Sequence, residues 1–353
     1  MRFSDLRFSS YSLLTRGLLV LASLSMVLGF VEVVLRVVAP VRWEGPYHAD
    51  LGDAVEEGLL QRSAIPGLAY ELVPGMTAEC WGGEVRVNQK GMRSSEHFEH
   101  LSESAVRILT LGDEATFGRL VDQERAYPSV LGRLLNGDEF KPGCEFEVLN
   151  MGVSGYGVAD AASVLQYRGL GLNPDLILVS YSLDDPEGDD LQPMKLRLNG
   201  VPWWQHFHLG RLLSQRKLEK AVQREAAGDY FEYLHSEGSP GWQRVQDSFA
   251  LLKRLAHRAN GEQVPVMIVL VPDLRGLAAW DHYAYGALHA RLSELGQEHH
   301  IEVLDLRKEF ELVGAVPGEL VGESGMLDAK GYRLMANAIF RHLEISYPCL
   351  ARR

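Results

Sequence analysis

Cysteine is scarce in this chain. Its three copies, Cys80, Cys144 and Cys349, are too few and too scattered for a disulfide framework or a cysteine-ligated metal centre. An oxidising compartment would allow one bridge with a thiol left over, so all three are read as structural. Blocks of Lys and Arg are missing too, and the formal charge is −12. Duplex binding rests on a basic face that neutralises phosphates, which excludes a nucleic-acid partner. No internal repeat or low-complexity tract occurs, so solenoid and linker-like architectures drop out. Histidine is absent from Ile301 through Phe340.

What remains is an ordinary globular composition, 46% apolar and 23% charged over 353 residues, enough for one sizeable α/β core with additions. The exception is the N-terminus. Gly17 to Val31 (GLLVLASLSMVLGFV) is uncharged, and Val33, Val34, Leu35, Val37 and Val38 continue it past Glu32, a length that spans a bilayer. Arg2, Arg7 and Arg16 precede the run; acidic residues dominate after it. This bias predicts a cytoplasmic N-terminus over 1–16, a signal anchor over 17–39 and an exported body, single-pass in a bacterial inner or cytoplasmic membrane. A cleaved signal peptide is the competing reading, but no small-x-small site follows cleanly. Glu32 and Arg36 lie one helical turn apart and are expected to pair as interfacial punctuation.

Residues 40–105 form a mixed juxtamembrane lead-in, with an extended Glu84-Val-Arg-Val-Asn88. From Val106 the pattern alternates. Apolar strands are predicted at Val106–Leu111, Phe146–Asn150, Leu176–Tyr181, Val264–Val271 and Glu302–Leu306. Helices fall at Tyr127–Leu135, Val158–Tyr167 and Asp328–Ile345. Strands separated by helices argue for a parallel sheet covered on both faces, with the site at the strands' carboxyl ends. A long insertion, about 185–241, carries Trp203, Trp204, His206, His208 and a charged helix near Leu212 to Ala227. Loops of that length usually serve interaction. The paired histidines lack an obvious third ligand and are assigned to surface or packing.

Four blocks carry a resemblance. Leu109-Thr-Leu-Gly-Asp-Glu-Ala-Thr-Phe-Gly118 is a strand opening into a turn. Val148-Leu-Asn-Met-Gly-Val-Ser-Gly-Tyr-Gly157 has the form Asn-x-Gly-x-x-Gly. Val87-Asn-Gln-Lys-Gly-Met-Arg93 precedes both, and Glu323-Ser-Gly-Met-Leu-Asp-Ala-Lys-Gly331 follows. Over about residues 66–346 the chain resembles the SGNH (GDSL-like) hydrolases, especially their membrane-anchored bacterial members. The resemblance implies an α/β, three-layer flavodoxin-like SGNH fold with a central parallel sheet, preceded by one transmembrane helix, the hydrolase-like domain occupying 106–353.

In that family a serine attacks an acyl carbon, a histidine takes its proton and an aspartate orients the histidine. The serine N–H, a glycine N–H of the Asn-x-Gly-x-x-Gly block and an asparagine of a further block, where this chain has Tyr181-Ser-Leu-Asp-Asp185, hold the oxyanion, each donor worth roughly 2.7–4 kcal/mol where one has been removed. Carried over by position, Gly112, Asp113 and Asn150 are retained as flanking residues and Gly155 stands at the oxyanion glycine. The nucleophile place holds Glu114, the asparagine place Asp184, the aspartate place Glu323 and the histidine place Met326. Glu114 has no hydroxyl, an ionised Asp184 repels an oxyanion, and Met326 accepts no proton, so serine-type acyl transfer loses its path. Ser154 lies in the oxyanion-glycine loop and fails the Gly-x-Ser-x-Gly spacing of a nucleophile elbow.

The resemblance with these departures implies a catalytically degenerate binding or assembly module of the cell envelope, with envelope polysaccharide or an envelope protein as its partner besides the membrane. The alternative is an active esterase or O-acyltransferase on acylated carbohydrate or lipid, which needs a base recruited from elsewhere, such as His282 or a histidine of the insertion. No cofactor and no metal is expected. The carboxylates of Glu114, Asp184 and Glu323, with Asp113, are instead read as a degenerate cleft, although such an oxygen set also suits Ca²⁺ or Mg²⁺. The acidic loop of Asp184, Asp185, Glu187, Asp189 and Asp190 lacks the spacing of a calcium-binding loop and is read as a solvated turn.

Overall fold

The structure is a computed structural model that describes residues 13–38, 57–81, 83–94, 105–137, 145–188, 203–257, 261–322 and 325–346. Glu323, Cys144, Cys349, Asp189 and Asp190 therefore lie outside the described residues. Cys80 is buried.

By contacts the chain divides into two compact units. One comprises residues 1–44 and 200–228, the other 45–199 and 229–353. In the first unit, helix α1 (Leu13–Val38) contains one stretch, Thr15–Val38, long and apolar enough to cross a membrane, with mean hydropathy 2.5.

The second unit begins with two antiparallel hairpins, β1 (Leu60–Arg62) with β2 (Tyr70–Leu72) and β3 (Thr77–Cys80) with β4 (Gly83–Arg86). There follow β5 (Val106–Leu111), α2 (Glu114–Phe117), α3 (Tyr127–Leu135), β6 (Phe146–Asn150), α4 (Val158–Val164) and β7 (Leu176–Tyr181). Helix α5 (His208–Ala226) belongs to the first unit. The second resumes with α6 (Tyr230–Leu234), α7 (Pro240–Leu255), β8 (Val266–Leu270), α8 (Gly286–Glu298), β9 (Glu302–Asp305), α9 (Leu306–Leu312) and α10 (Ala329–Ser346).

Strands β5 to β9 form one parallel sheet in the order β6-β5-β7-β8-β9. The chain starts near the middle, steps to one edge and returns past the first strand, the doubly wound order whose reversal opens a crevice at the carboxyl ends. Every residue of β5, β7 and β8 is buried, which is why these strands read as continuous apolar runs rather than alternating ones. On one face Ile108, Leu178 and Val269 pack with Leu131, Phe310, Met335 and Ile339 from α3, α9 and α10. Helices α4, α7 and α8 cover the other face. Pro at N1 and the Ser239 hydroxyl, which accepts the Trp242 N–H at 2.9 Å, start α7.

Most predicted elements coincide with observed ones. The fourth strand is shorter than predicted because Val264 and Pro265 precede it, and proline supplies no ladder donor. The predicted helix from Val158 keeps α-geometry only to Val164 and widens into a π-turn over Leu165–Gly169.

Candidate functional site

The site is built from the turn after β5. Gly112 has φ +137°, and a side chain there would meet the Ser180 carbonyl at 2.9 Å, so only glycine lets the strand end this close to β7. Asp113 then caps α2, its Oδ1 accepting the Ala115 N–H at 2.9 Å, and its Oδ2 accepts the Ser182 hydroxyl at 2.7 Å. Thr116 donates to the Leu111 carbonyl at 2.9 Å and closes the turn.

Three further elements brace this turn. Arg93, the last residue of the lead-in block, is buried and donates to the carbonyls of Phe117 (2.7 Å), Gly118 and Val121 (2.8 Å), its guanidinium stacked 4.6 Å from the Phe117 ring centroid. Burial pulls its pKa down to about 10. Asn150, at the end of β6, accepts the Gly152 N–H at 3.0 Å and reaches the Phe117 carbonyl at 3.4 Å, tying the second block to the first. The Tyr332 hydroxyl, from α10, lies 3.1 Å from the Glu114 carbonyl.

The second-block loop is held from the hairpins. Tyr70 donates to the Ser154 carbonyl at 2.7 Å, and Tyr156 donates back to the Tyr70 carbonyl at 2.5 Å. Gly155 takes φ +81°, which turns the loop toward the cavity.

That cavity, about 560 Å³, is lined by Asp113, Glu114, Gly155, Asp184, Asp185 and Met326 together with Arg119, Asp273, Arg275 and Tyr332. Glu114, Gly155, Asp184 and Met326, drawn from four separate stretches of sequence, thus share one pocket. No histidine lines it among the described residues. His282 is exposed beside Asp281, 3.2 Å away, and His342 pairs with Glu302 at 2.7 Å.

Glu114 is half-buried and engaged. The Ser154 hydroxyl donates to its Oε1 at 2.9 Å, and the Arg119 guanidinium stands 4.0 Å from the same oxygen. Arg119 is itself buried, stacked 4.8 Å from the Trp81 ring centroid.

The carboxylates of Asp113, Asp184 and Asp185 each place an oxygen within 4.8 Å of the others. Burial first, and then the negative charges of Glu114 and Asp184, hold Asp113 well above the usual carboxylate range. Burial and the charges of Asp113 and Asp184 do the same to Asp185. Asp185 joins Asp113 and Asp184 in this tightest group, while Glu114 lines the same cavity.

The expectation of a solvated acidic turn is corrected for Asp185 and Glu187, which are only 4% and 3% exposed. Asp185 is drawn in by the Ser182 N–H (3.2 Å) and Glu187 by the Tyr230 hydroxyl (2.6 Å). Ser182 is a local partner just after β7, whereas Tyr230 comes from α6, so at Glu187 packing overrides the local polarity.

Sequence reasoning missed Arg119, Arg275 and Asp185 as lining groups, and Ser154 as the partner of Glu114. For Ser154 the only signal was its place one residue before Gly155. Two imidazoles outside the pocket are structural. His289 is buried between Asp305 (2.8 Å) and the Tyr283 hydroxyl (2.8 Å). His235 is buried between the Phe231 carbonyl and the Tyr181 hydroxyl, both at 2.8 Å, and desolvation lowers its pKa to about 4.

Strand order, the turn after β5 and the three family blocks converging on it define an SGNH-hydrolase-like α/β fold. Among solved structures the chain is similar to a two-domain esterase active on acetylated mannans, with 13% identity, 68% of this chain and 50% of that chain covered, and a TM-score of 0.42. It thus spans about half the length of that esterase. It is also similar to an acetylxylan esterase from Geobacillus stearothermophilus, with 13% identity, 70% and 97% coverage, and a TM-score of 0.41. An α/β hydrolase from a Lake Arreo metagenome gives 17% identity, 67% and 95% coverage, and a TM-score of 0.43. No family model and no curated protein sequence matches the chain.

Proposed function

We propose that this protein is a membrane-anchored, outward-facing binding or assembly module of the cell envelope, built on a hydrolase-type scaffold that no longer carries out acyl transfer. The observation that supports the reading most is the state of Glu114. It occupies the nucleophile place, is engaged by Ser154 and Arg119, and shares its pocket with Met326. Nucleophilic attack by an oxygen needs a group to take its proton. Glu114 has no hydroxyl for a serine-type attack, and among the described residues no histidine lines this pocket. The pocket instead offers carboxylates beside Arg119 and Arg275, a mixture that suits a hydroxyl-rich ligand making several directed hydrogen bonds. Envelope polysaccharide fits that chemistry.

An ester-hydrolysis screen tests the reading, run on the purified full chain beside its Glu114→Ser/Met326→His variant, with glycan binding followed in parallel. Turnover is expected to be absent from the native chain, with saturable binding of an acetylated or plain oligosaccharide that Glu114→Ala weakens. Robust native turnover abolished by changing Glu114 would establish an esterase or acyltransferase instead.

A further inference from the structure

Helix α5 begins without a cap of its own. Its N-cap residue is Phe207, with extended backbone (φ −98°, ψ 138°) and no side-chain oxygen. The missing acceptor comes from α1. Glu32 takes the His208 N–H on Oε1 at 3.0 Å and the Leu209 N–H on Oε2 at 3.1 Å, while Arg36 pairs with Oε1 at 2.9 Å. A carboxylate satisfying two orphan N–H groups at a helix start is the geometry the helix dipole favours. Glu32 is therefore more than interfacial punctuation, because it binds the apolar helix to a segment 176 residues away.

This contact sets a depth. A hydrocarbon core of about 30 Å takes about 20 helical residues, which counted from Arg16 ends near Arg36. Glu32 then lies about 6 Å inside the outer boundary, where an unsatisfied carboxylate is costly and the N–H donors with Arg36 compensate it. The start of α5 is thereby held within about 6 Å of that boundary. Immediately before it stand Trp203, 73% exposed, Trp204, 47% exposed, and Phe207, also exposed. Helix α5 itself carries five Lys or Arg against two Glu in a chain whose overall charge is −12.

We propose that residues 203–226 are a second membrane contact. Trp203, Trp204 and Phe207 sit at the boundary of acyl chains and headgroups in the outer leaflet, and the basic helix lies against anionic phospholipid. Large amphipathic rings concentrate at that level, and a basic helix beside an apolar anchor gains from anionic headgroups. The inference rests on the reading that α1 spans the membrane.

The test uses the full chain reconstituted into phosphatidylcholine vesicles, with and without phosphatidylglycerol, that contain a lipid brominated near the headgroup end of its acyl chains. The chain has six tryptophans, so the readout is the difference in quenching between the native protein and the Trp203→Phe/Trp204→Phe variant. Native quenching is expected to exceed the variant's by at least twofold, to rise with phosphatidylglycerol, and to fall in Glu32→Ala. Equal quenching in the two proteins, or iodide in the aqueous phase quenching the Trp203 and Trp204 emission, would overturn the proposal. Alkaline carbonate separates the premises. Release of the native chain removes the spanning helix and this inference with it, whereas retention with equal quenching removes the inference alone.

Discussion

The hydroxyl of Ser154 donates to Oε1 of Glu114 at 2.9 Å, so the residue just before Gly155 holds the carboxylate in the turn after β5. The two positions lie 40 residues apart and belong to different blocks. A carboxylate at this turn with a specific partner from another block, sharing one cavity with Asp184 and Met326, ties these positions to one another. That interdependence governs the first prediction.

Glu114→Ser alone is expected to remain without esterase activity, because Met326 supplies no base. Restoring detectable turnover takes at least Glu114→Ser with Met326→His, and Asp184→Asn is expected to improve it further by replacing a negative group with an amide donor. Hydrolysis of a chromogenic acetate ester checks this. Activity in the single variant would show that Met326 does not occupy the base position.

Asp184→Asn is expected to stabilise the fold at neutral pH by on the order of 1–2 kcal/mol, since each pKa unit relieved is worth about 1.4 kcal/mol. Asp113 and Asp185 are held above their ordinary 3.8 in the folded state. The folded protein therefore binds more protons than the unfolded one above that pH. Their contribution to stability is fully present below about pH 3.8 and is lost as pH rises through the folded pKa values. Thermal unfolding from pH 4 to 8 is expected to show the variant gaining on the native protein as pH rises; parallel curves would refute the coupling.

His235 works in the opposite direction. Its pKa falls from 6.5 to about 4 on folding, so its contribution is present above pH 6.5 and is lost as pH falls from there toward 4. The loss is on the order of 3 kcal/mol. His235→Gln leaves an amide for the Tyr181 hydroxyl but no titration, and is expected to flatten this acid limb. Denaturant titrations at pH 7, 5.5 and 4.5 measure it.

Arg93→Lys is expected to destabilise the second unit by roughly 2–4 kcal/mol, because an ammonium does not reproduce the planar fork that serves three carbonyls while stacked on Phe117. The accompanying change in Trp81 fluorescence would report the loosened turn. A shift below about 0.5 kcal/mol, the range of a surface substitution, would contradict the role assigned to Arg93.

Much of the fold was legible because β5, β7 and β8 are buried on both faces, which leaves unbroken apolar runs in the sequence, and because the intervening helices carry their own starting signals. Glu114, Asp184 and Met326, singled out from separate blocks of sequence, line one cavity. Their surroundings were not legible. Asp185 and Glu187 look like members of a solvated acidic run, yet both are buried, and no local pattern encodes the donor that Tyr230 brings to Glu187 from another element.

The sequence by itself determined the apolar N-terminal helix, the succession of strands and helices along the chain and the residue types at Glu114, Asp184 and Met326, since these depend on periodicity and on residue type. Only the tertiary structure decided that Ser154 and Arg119 engage Glu114, that Asp113, Asp184 and Asp185 meet, and that Glu32 caps a helix 176 residues further on. The physical reason is common to all three. Hydrogen bonds and charge interactions act over a few ångströms of space, and which side chains come that close is settled by packing long after the local pattern has chosen helix or strand.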